Sequence, residues 1–436
     1  MLKIYIKTFG CQANVRDSEA LLGLFLARGY KAVNDPVKAD VVLANTCSVR
    51  ALAENKARSF LGEFQEGYSK PSHRERPLTP SLTKRGDRAL ALLKRGPAQP
   101  GRVLGKKKII GLVGCMARNE GKRLFQHMAH VDLICSPGVL EKIPGYVEEI
   151  LESQKSKGKG QKHGVPLTQD AGHKRLRIID LEDRMRDEAA YAAAYRAGKN
   201  HASVVISTGC ANSCTYCIVP YVRGKLRLRK PEDIVAEVRA AVKNGATKIT
   251  LLGQNVNDYN YVGARSPRPG RGNPAPTNFI DLLKMVAAIP GVEEIDFVSS
   301  NPKNTSRELF EFMAASKKMK KIINLPFQSG SNKILKAMNR GYTRAQYLAL
   351  VKEYKRIVGG QVSTDIIVGF PGETEADFKA TMDVVKECKF DMAYIFKYSP
   401  RPHTFAADLS DSVEQLKKEY RNNMLLDLQK QVSKTA

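Results

Sequence analysis

The sequence predicts an α/β protein made of two successive parallel-sheet domains, a small Rossmann-like one and then an open (βα)6 partial barrel of TIM type. Three observations carry this. Apolar strand-like runs alternate with helical stretches from residue 2 to about 135, and a second such alternation starts near 202. Stretches rich in Lys, Gly and Pro, at 66–108 and 153–175, break the pattern. The chain has 436 residues and is 42% hydrophobic, enough for more than one packed core.

Residues 2–7 alternate as a strand does. A helix is expected over 17–28, with Asp17 as N-cap, "SEALLGLFLAR" as its body and Gly29 as its stop. "ADVVLANTC" reads as a short buried strand, and the residues to about Phe64 as a helix. "KKIIGLVGC" is a third strand followed by a helix, and "VDLIC" a fourth. Strands alternating with helices imply βαβ units, here over 1–150, with 151–200 as a linker. The basic stretch 66–108 reads as a solvated insertion, with an RNA-binding loop as the alternative.

In the second domain six strand candidates follow in order: "ASVVIST", "TKITLLG", "EEIDFVS", "KIINLP", "QVSTDIIVG" and "FDMAYIF". Helices are expected around 231–243, 278–288, 305–316, 343–357 and 373–387. Thr343 with Gln346 and Thr374 with Asp377 have capping-box spacing. Six βα repeats over 201–410 suit a partial barrel whose working face lies at the strand C-termini. Residues 411–436 read as a charged helical tail.

The formal net charge of +27 is the footprint of a nucleic-acid binder. No apolar run reaches the roughly 18 residues of a membrane span. No basic segment leading into a long apolar stretch opens the sequence, so a cytoplasmic setting is expected. Eight cysteines in this length do not make a disulfide scaffold and are available for metal or catalysis.

One motif carries strong chemistry. "STGCANSCTYCIVPY" holds Cys210, Cys214 and Cys217 in the spacing CxxxCxxC, after the first strand of the second domain. Three thiolates bind three irons of a 4Fe–4S cluster and leave the fourth open to a substrate or cofactor. Zinc is the competing reading, but structural zinc prefers four ligands, and no fourth Cys or His lies nearby. A second set is scattered: Cys11, Cys47 and Cys115 each stand just beyond a predicted strand. Parallel strands end on one edge, so the fold delivers these thiols together, as a second three-ligand cluster would need. Packing as small hydrophobes is the alternative for these three. Cys135 and Cys388 read as packing residues.

"KTFGCQANVRDSE", "NTCSVR", "CANSCTYCIVPYVRGK", "TLLGQNVNDY", "LPFQSGSNKILKAMNRGYT", "STDIIVGFPGETEADF" and "YSPRPHTFAA" occur in one order over residues 1–410. Together they resemble the radical S-adenosylmethionine (SAM) methylthiotransferases, most closely the branch that acts on tRNA. The resemblance implies a radical SAM barrel preceded by a methylthiotransferase domain, two 4Fe–4S clusters, and two roles for SAM. One SAM methylates sulfur on the auxiliary cluster of Cys11, Cys47 and Cys115. Another, at the Cys210/Cys214/Cys217 cluster, yields a 5′-deoxyadenosyl radical. That radical takes hydrogen from C2 of N6-isopentenyl-adenosine beside the anticodon, and the methylthio group replaces it. The first domain's strand edge is then expected to cap the barrel mouth. A small flavodoxin- or ferredoxin-type electron donor and a monomeric state are also implied. Relatives acting on threonylcarbamoyl-adenosine or on a ribosomal protein, and a non-catalytic iron–sulfur RNA-binding protein, are the alternatives.

The resemblance places Tyr216, Gln254, Asn255, Ser299, Gln328, Ser329 and Asp365 near SAM, with Gly369, Pro371 and Gly372 allowing close backbone approach. Arg223, Lys225, Arg227 and Arg229, if extended, would share one basic face toward RNA, joined by Arg340 and Arg401. A solvated edge strand is the alternative for that stretch. The family's RGRExSR pattern is altered by Leu226 and Leu228, and its Gly after "SPR" by His403. The family's small β-rich RNA-binding TRAM domain is expected to be missing or truncated after residue 411.

Overall fold

A computed structural model describes residues 1–65, 108–155, 176–191, 195–262 and 277–433. The basic stretches 66–108 and 153–175 lie, apart from their ends, outside these. The chain forms two units, Met1–Gly198 and Lys199–Ala436.

The first unit is β1 (Lys3–Phe9), α1 (Gln12–Leu26), β2 (Lys31–Ala32), β3 (Val41–Thr46), α2 (Ala51–Gly62), β4 (Ile109–Gly114), α3 (Cys115–Glu120), α4 (Arg123–His127), β5 (Leu133–Cys135), α5 (Ile143–Lys155), β6 (Ile178–Asp180) and α6 (Glu188–Tyr191). The six strands make one parallel sheet in the order β2-β1-β3-β4-β5-β6. The central strands "VVLANT" and "IIGLVG" are buried at every position. Near-continuous apolar runs are what a parallel strand covered on both faces requires. One core cluster joins Leu21, Phe25, Leu43 and Ile143, and another joins Val42, Leu61, Leu112 and Phe125.

Two expectations change here. Within 151–200, which reads as a linker, the described residues belong to the first unit: α5 runs to Lys155, β6 pairs with β5 as the sixth strand, and the unit ends at Gly198, while 156–175 lie outside the described residues. A three-residue strand is too short to show a periodicity in sequence. Nor is Asp17 an N-cap. Cys11 caps α1, and Asp17 sits buried inside the helix with Arg186 Nη1 2.7 Å from its Oδ1. A buried ion pair made in the fold outweighs a local capping preference.

The second unit contains β7 (His201–Val205), β8 (Ser207–Thr208), α7 (Val219–Arg223), β9 (Arg227–Leu228), α8 (Pro231–Lys243), β10 (Lys248–Leu252), β11 (Asn260–Tyr261), β12 (Thr277–Asn278), α9 (Phe279–Ala287), β13 (Glu294–Phe297), α10 (Arg307–Ala315), β14 (Ile322–Asn324), α11 (Asn332–Ala337), α12 (Arg344–Ile357), β15 (Gln361–Val368), α13 (Glu375–Cys388), β16 (Met392–Lys397) and α14 (Gln415–Val432). The six long-range strands are parallel, in runs β7-β10-β13 and β14-β15-β16. A parallel bridge pairs Ile295 of β13 with Met319, three residues before β14. Strands in chain order with helices between them form the (βα)6 partial barrel. Both expected capping boxes form, Thr343 with Gln346 and Thr374 with Asp377.

The charged tail is a working part of this unit. α14 lies against β16 and α13. Its Arg421 is fully buried, donating to Glu373 Oε1 at 2.6 Å and to Glu375 at 2.8 Å. Burial pushes the Glu373 carboxyl up to about 7, while the Gly369 N–H and Arg421 pull the other way. The loop after β15 is thereby tied to the last helix.

Candidate metal centres

In the first unit, β1, β3 and β4 are neighbours, and their register sets Phe9 opposite Thr46 and Thr46 opposite Gly114. A cysteine follows each of these residues within two positions: Cys11, Cys47 and Cys115. Three thiols therefore leave the sheet at one edge. The Cys47 N–H donates to the Phe9 carbonyl at 2.8 Å, which ties the second loop to the first. Cys11 is exposed, whereas Cys47 and Cys115 are buried. The Cys47 thiol is pushed well up by its hydrogen bond with Cys11, by burial and by Cys115. Mutual perturbation of this kind requires the three to be near neighbours. Cys135 ends β5 inside the apolar core, and Cys388 is buried in the core of the second unit.

In the second unit the motif loop leaves β8 through Gly209, whose φ of 73° and approach to the Lys225 carbonyl exclude a side chain. Backbone bonds shape the loop: Cys210 N–H to the Gly224 carbonyl at 3.3 Å, and Cys217 N–H to the Cys214 carbonyl at 3.0 Å. The segment after α11 clamps it from outside. Thr215 bonds to the Met338 and Ala337 carbonyls, and Asn339 Nδ2 donates to the Ser213 carbonyl at 2.9 Å. Arg340 is buried beside the motif, its Nη1 3.3 Å from both Cys214 Sγ and the Tyr216 hydroxyl. Burial raises the Cys210 thiol, and burial with Cys214 pushes Cys217 up to about 12.

The other expected cofactor residues lie at strand ends. Gln254 and Asn255 follow β10, and their Oε1 and Oδ1 are buried without a hydrogen-bond partner, as is the Ser207 hydroxyl. A methyl on Gly253, the residue before Gln254, would lie 2.6 Å from that hydroxyl. Buried polar atoms without partners are rare and call for a ligand or water. Ser299, after β13, and Gln328, after β14, are held at φ 70° and 69°, left-handed values that cost a non-glycine residue on the order of 1–3 kcal/mol. Gln328 is inserted against β15, its N–H on the Asp365 carbonyl and its carbonyl receiving the Ile367 N–H. The Asp365 carboxylate accepts from Asn324 at 3.3 Å. Ser329 is buried and bonds with Thr381 and the Ser331 N–H, so its hydroxyl is used within the fold.

The basic strip does not form as expected. Arg223 ends α7, and only Arg227–Leu228 is extended, paired antiparallel with β8. Arg229 is buried, donating to Glu237 at 2.6 Å and to the Val205 carbonyl at 2.7 Å. Arg223, Arg340 and Arg401 are also buried, each less than a tenth exposed. Of the six candidate RNA contacts, Lys225 and Arg227 keep solvent access. Charge counting cannot separate an arginine that faces water from one that ties a barrel together. His403 has φ 66° and lies over the Tyr221 ring at 5.8 Å.

Sequence reasoning assigned Arg340 to RNA, whereas it lies on Cys214, and it missed Asn14 with Asn45 as the support of the first triad. For Asn45 a signal was present, an amide in the otherwise apolar "VVLANT". Also missed were the contacts that residues 186–191 and 195–197 make with α1. Arg186 pairs with Asp17, Arg16 donates to the Tyr191 carbonyl at 2.5 Å, and Glu19 accepts from the Ala197 N–H at 3.0 Å. The charges of "VRDSE" thus serve the fold.

Among the described residues no three His, Cys, Asp or Glu side chains close round a point as ligands of a single metal ion do. Each triad is nonetheless all-thiol and three in number, the donor set a 4Fe–4S cluster with one open iron takes. Residues 204–385 match the family model described as Radical SAM superfamily, and residues 3–74 match Uncharacterized protein family UPF0004. The chain is 37% identical over 431 residues to the tRNA-2-methylthio-N(6)-dimethylallyladenosine synthase of Geotalea uraniireducens, covering 99% of this chain and 83% of that one. Enzymes of the same name from Syntrophotalea carbinolica and Pelotomaculum thermopropionicum are 34% and 36% identical, with 85% and 83% of their lengths covered. Among solved structures, the radical SAM methyltransferase TsrM from Kitasatospora setae aligns with a TM-score of 0.57 at 13% identity, over 93% of this chain and 75% of that one. The cobalamin-dependent radical SAM enzyme OxsB aligns at 0.51 and 12%, over 100% of this chain and 56% of that one. Both are likenesses of fold.

Proposed function

The chain belongs to the radical SAM tRNA methylthiotransferase family, and from that premise we propose that it converts an N6-isopentenylated adenosine beside the tRNA anticodon to its 2-methylthio derivative. The observation that supports the reading is that each unit carries a set of three cysteines, one set following three neighbouring parallel strands and the other within a single loop. Its cofactors are 4Fe–4S clusters and SAM. In this reading Cys210, Cys214 and Cys217 hold one cluster, and Cys11, Cys47 and Cys115 the other. A bound cluster with an open iron supplies the electron that splits SAM and so makes an unactivated C–H bond reactive.

The chain's own groups do the positioning. Arg340 directs its guanidinium at Cys214 Sγ, which orients that sulfur and offsets the charge of its thiolate. The acceptors Gln254 Oε1 and Asn255 Oδ1 suit an ammonium or hydroxyl donor such as SAM carries, and the Ser207 hydroxyl adds a donor. Left-handed Ser299 and Gln328 hold the ends of β13 and β14 in one conformation, which limits reorganisation when a cofactor binds. Lys225 and Arg227 remain as candidates for phosphate contact.

The same reading expects a monomer in the cytoplasm served by a small flavodoxin- or ferredoxin-type donor. No helix among the described residues is long and apolar enough to cross a membrane. The test is the anaerobically reconstituted enzyme with hypomodified tRNA, SAM, sulfide and reductant, followed by mass spectrometry of digested nucleosides. The methylthio mark should appear on the isopentenylated adenosine. A mark found only on threonylcarbamoyl-adenosine or on a ribosomal protein would replace this substrate.

A further inference from the structure

Asn14 and Asn45 are fully buried, one in the first turn of α1 and the other in the apolar strand β3. They bond to each other. Asn14 Nδ2 donates to Asn45 Oδ1 at 3.0 Å, and Asn45 Nδ2 donates to the Asn14 carbonyl at 2.9 Å and to Ser18 Oγ at 3.0 Å. Ser18 in turn meets Thr8 Oγ1 of β1 at 2.7 Å. The Cys11 thiol donates to Asn14 Oδ1 at 3.3 Å.

All three cysteine loops close on this pair. A methyl on Gly10, just before Cys11, would lie 2.6 Å from Asn14 Oδ1 and 2.7 Å from Cys47 Cβ. A methyl on Gly114, just before Cys115, would overlap Asn45 Oδ1, and Gly114 itself has φ 94°. The third loop leaves β3 after Thr46, so that Cys47 stands two residues beyond Asn45. The sequence pattern Gly-Cys, Asn-Thr-Cys, Gly-Cys therefore has a physical reason: Gly10 lets its loop close on Asn14 and Cys47, and Gly114 lets its loop close on Asn45, so each glycine approaches one member of the amide pair. Apolar contacts tolerate small slides, whereas a closed set of directed hydrogen bonds does not.

We propose that the Asn14–Asn45 amide pair is the positioning device of the first site, setting the three cysteine loops at the spacing an iron–sulfur cluster needs and aiming the Cys11 sulfur. The proposal rests on reading Cys11, Cys47 and Cys115 as one ligand set. Both residues are positioning residues: with no exposed surface, neither is placed to read a nucleotide.

The test uses the full chain carrying Asn14→Ala, Asn45→Ala, or the double replacement Asn14→Leu with Asn45→Leu, which keeps shape and burial without the hydrogen bonds. In the metal-free protein, the alkylation rate of each cysteine is followed by mass spectrometry. Cys47 and Cys115 should react at least about tenfold faster, with Cys135 unchanged as the internal control. After anaerobic reconstitution, iron should fall from about eight to about four per chain in each variant. Acceleration of Cys135 along with the others in every variant would reduce the pair to a general folding role and overturn the proposal. So would about eight irons and unaltered Cys47 and Cys115 rates in a folded variant. Failure of the underlying reading looks different: the unsubstituted chain would take up only about four irons, or Cys11→Ala would lose none, while the alkylation rates would still report on the amide pair.

Discussion

The two thiol triads reach the same donor set by opposite routes. In the second unit, eight consecutive residues contain all three cysteines, and the fold's task is to clamp a loop, which it does with Gly224, Met338, Asn339 and Arg340. In the first unit the cysteines come from three strands, and only the register Phe9–Thr46–Gly114 brings them together. Their supports differ in kind as well. A buried cation stands against the local triad, and a pair of neutral amides lies under the dispersed one. A local motif keeps its ligands adjacent even when its surroundings loosen. A dispersed one exists only while its sheet does. The dispersed site should therefore be the one that responds to the stability of its unit.

Removing one thiol from each site should separate the two most strongly. Cys214→Ala should lower SAM cleavage to 5′-deoxyadenosine by about 10³-fold or more, whereas Cys11→Ala should leave that cleavage within a few-fold and abolish methylthio product. Equal loss of cleavage in both, measured by chromatography, would erase the distinction. Next in size is the buried ion pair of the first unit. Arg186→Met removes the guanidinium from the buried Asp17 carboxylate and should destabilise that unit by about 3–5 kcal/mol in urea denaturation, with the loss largely recovered when Asp17→Asn is added.

A smaller effect is expected at the cation of the local site. Arg340→Lys cannot keep bonds to Cys214, Tyr216, Tyr342 and the Pro326 carbonyl at once, and should cost about 10–100-fold in activity with the cluster still bound. Absorbance of the reconstituted protein would show whether the cluster is retained. The smallest concerns Glu373. Its folded carboxyl is raised from 4.5 to about 7, so it favours folding while protonated. That contribution is present below about pH 4.5 and is lost as pH rises through about 7. Metal-free protein should be less stable at pH 8 than at pH 5 by about 1–3 kcal/mol at the second unit, and Glu373→Gln should flatten the difference. A flat wild-type profile in denaturant titrations would show that Arg421 holds the carboxylate ionised.

What could be read in advance follows the range of the forces involved. The capping boxes at Thr343 and Thr374 formed as their three-residue spacing implied. The apolar runs became strands in the expected order. Asp17 misled because the same residue type serves as a cap or as half of a buried pair, and its partner is Arg186 in a stretch that looked like linker. Arg229 and Arg340 misled for the same reason: a charge near a motif reads as solvent-facing until Glu237 or Cys214 is seen beside it.

The sequence by itself determined the alternation of strands and helices, the direction in which each strand ends, and so the edge at which each cysteine emerges. Periodicity and chain polarity operate within a few residues, and composition displays them directly. The tertiary structure alone decided which charges go inside, which helix holds the loop after β15, and what lies under the thiols. Asn14 and Asn45 are 31 residues apart, Cys214 and Arg340 126, and Asp17 and Arg186 169. A hydrogen bond acts over about 3 Å, so pairing residues this distant requires the packed core that carries them there.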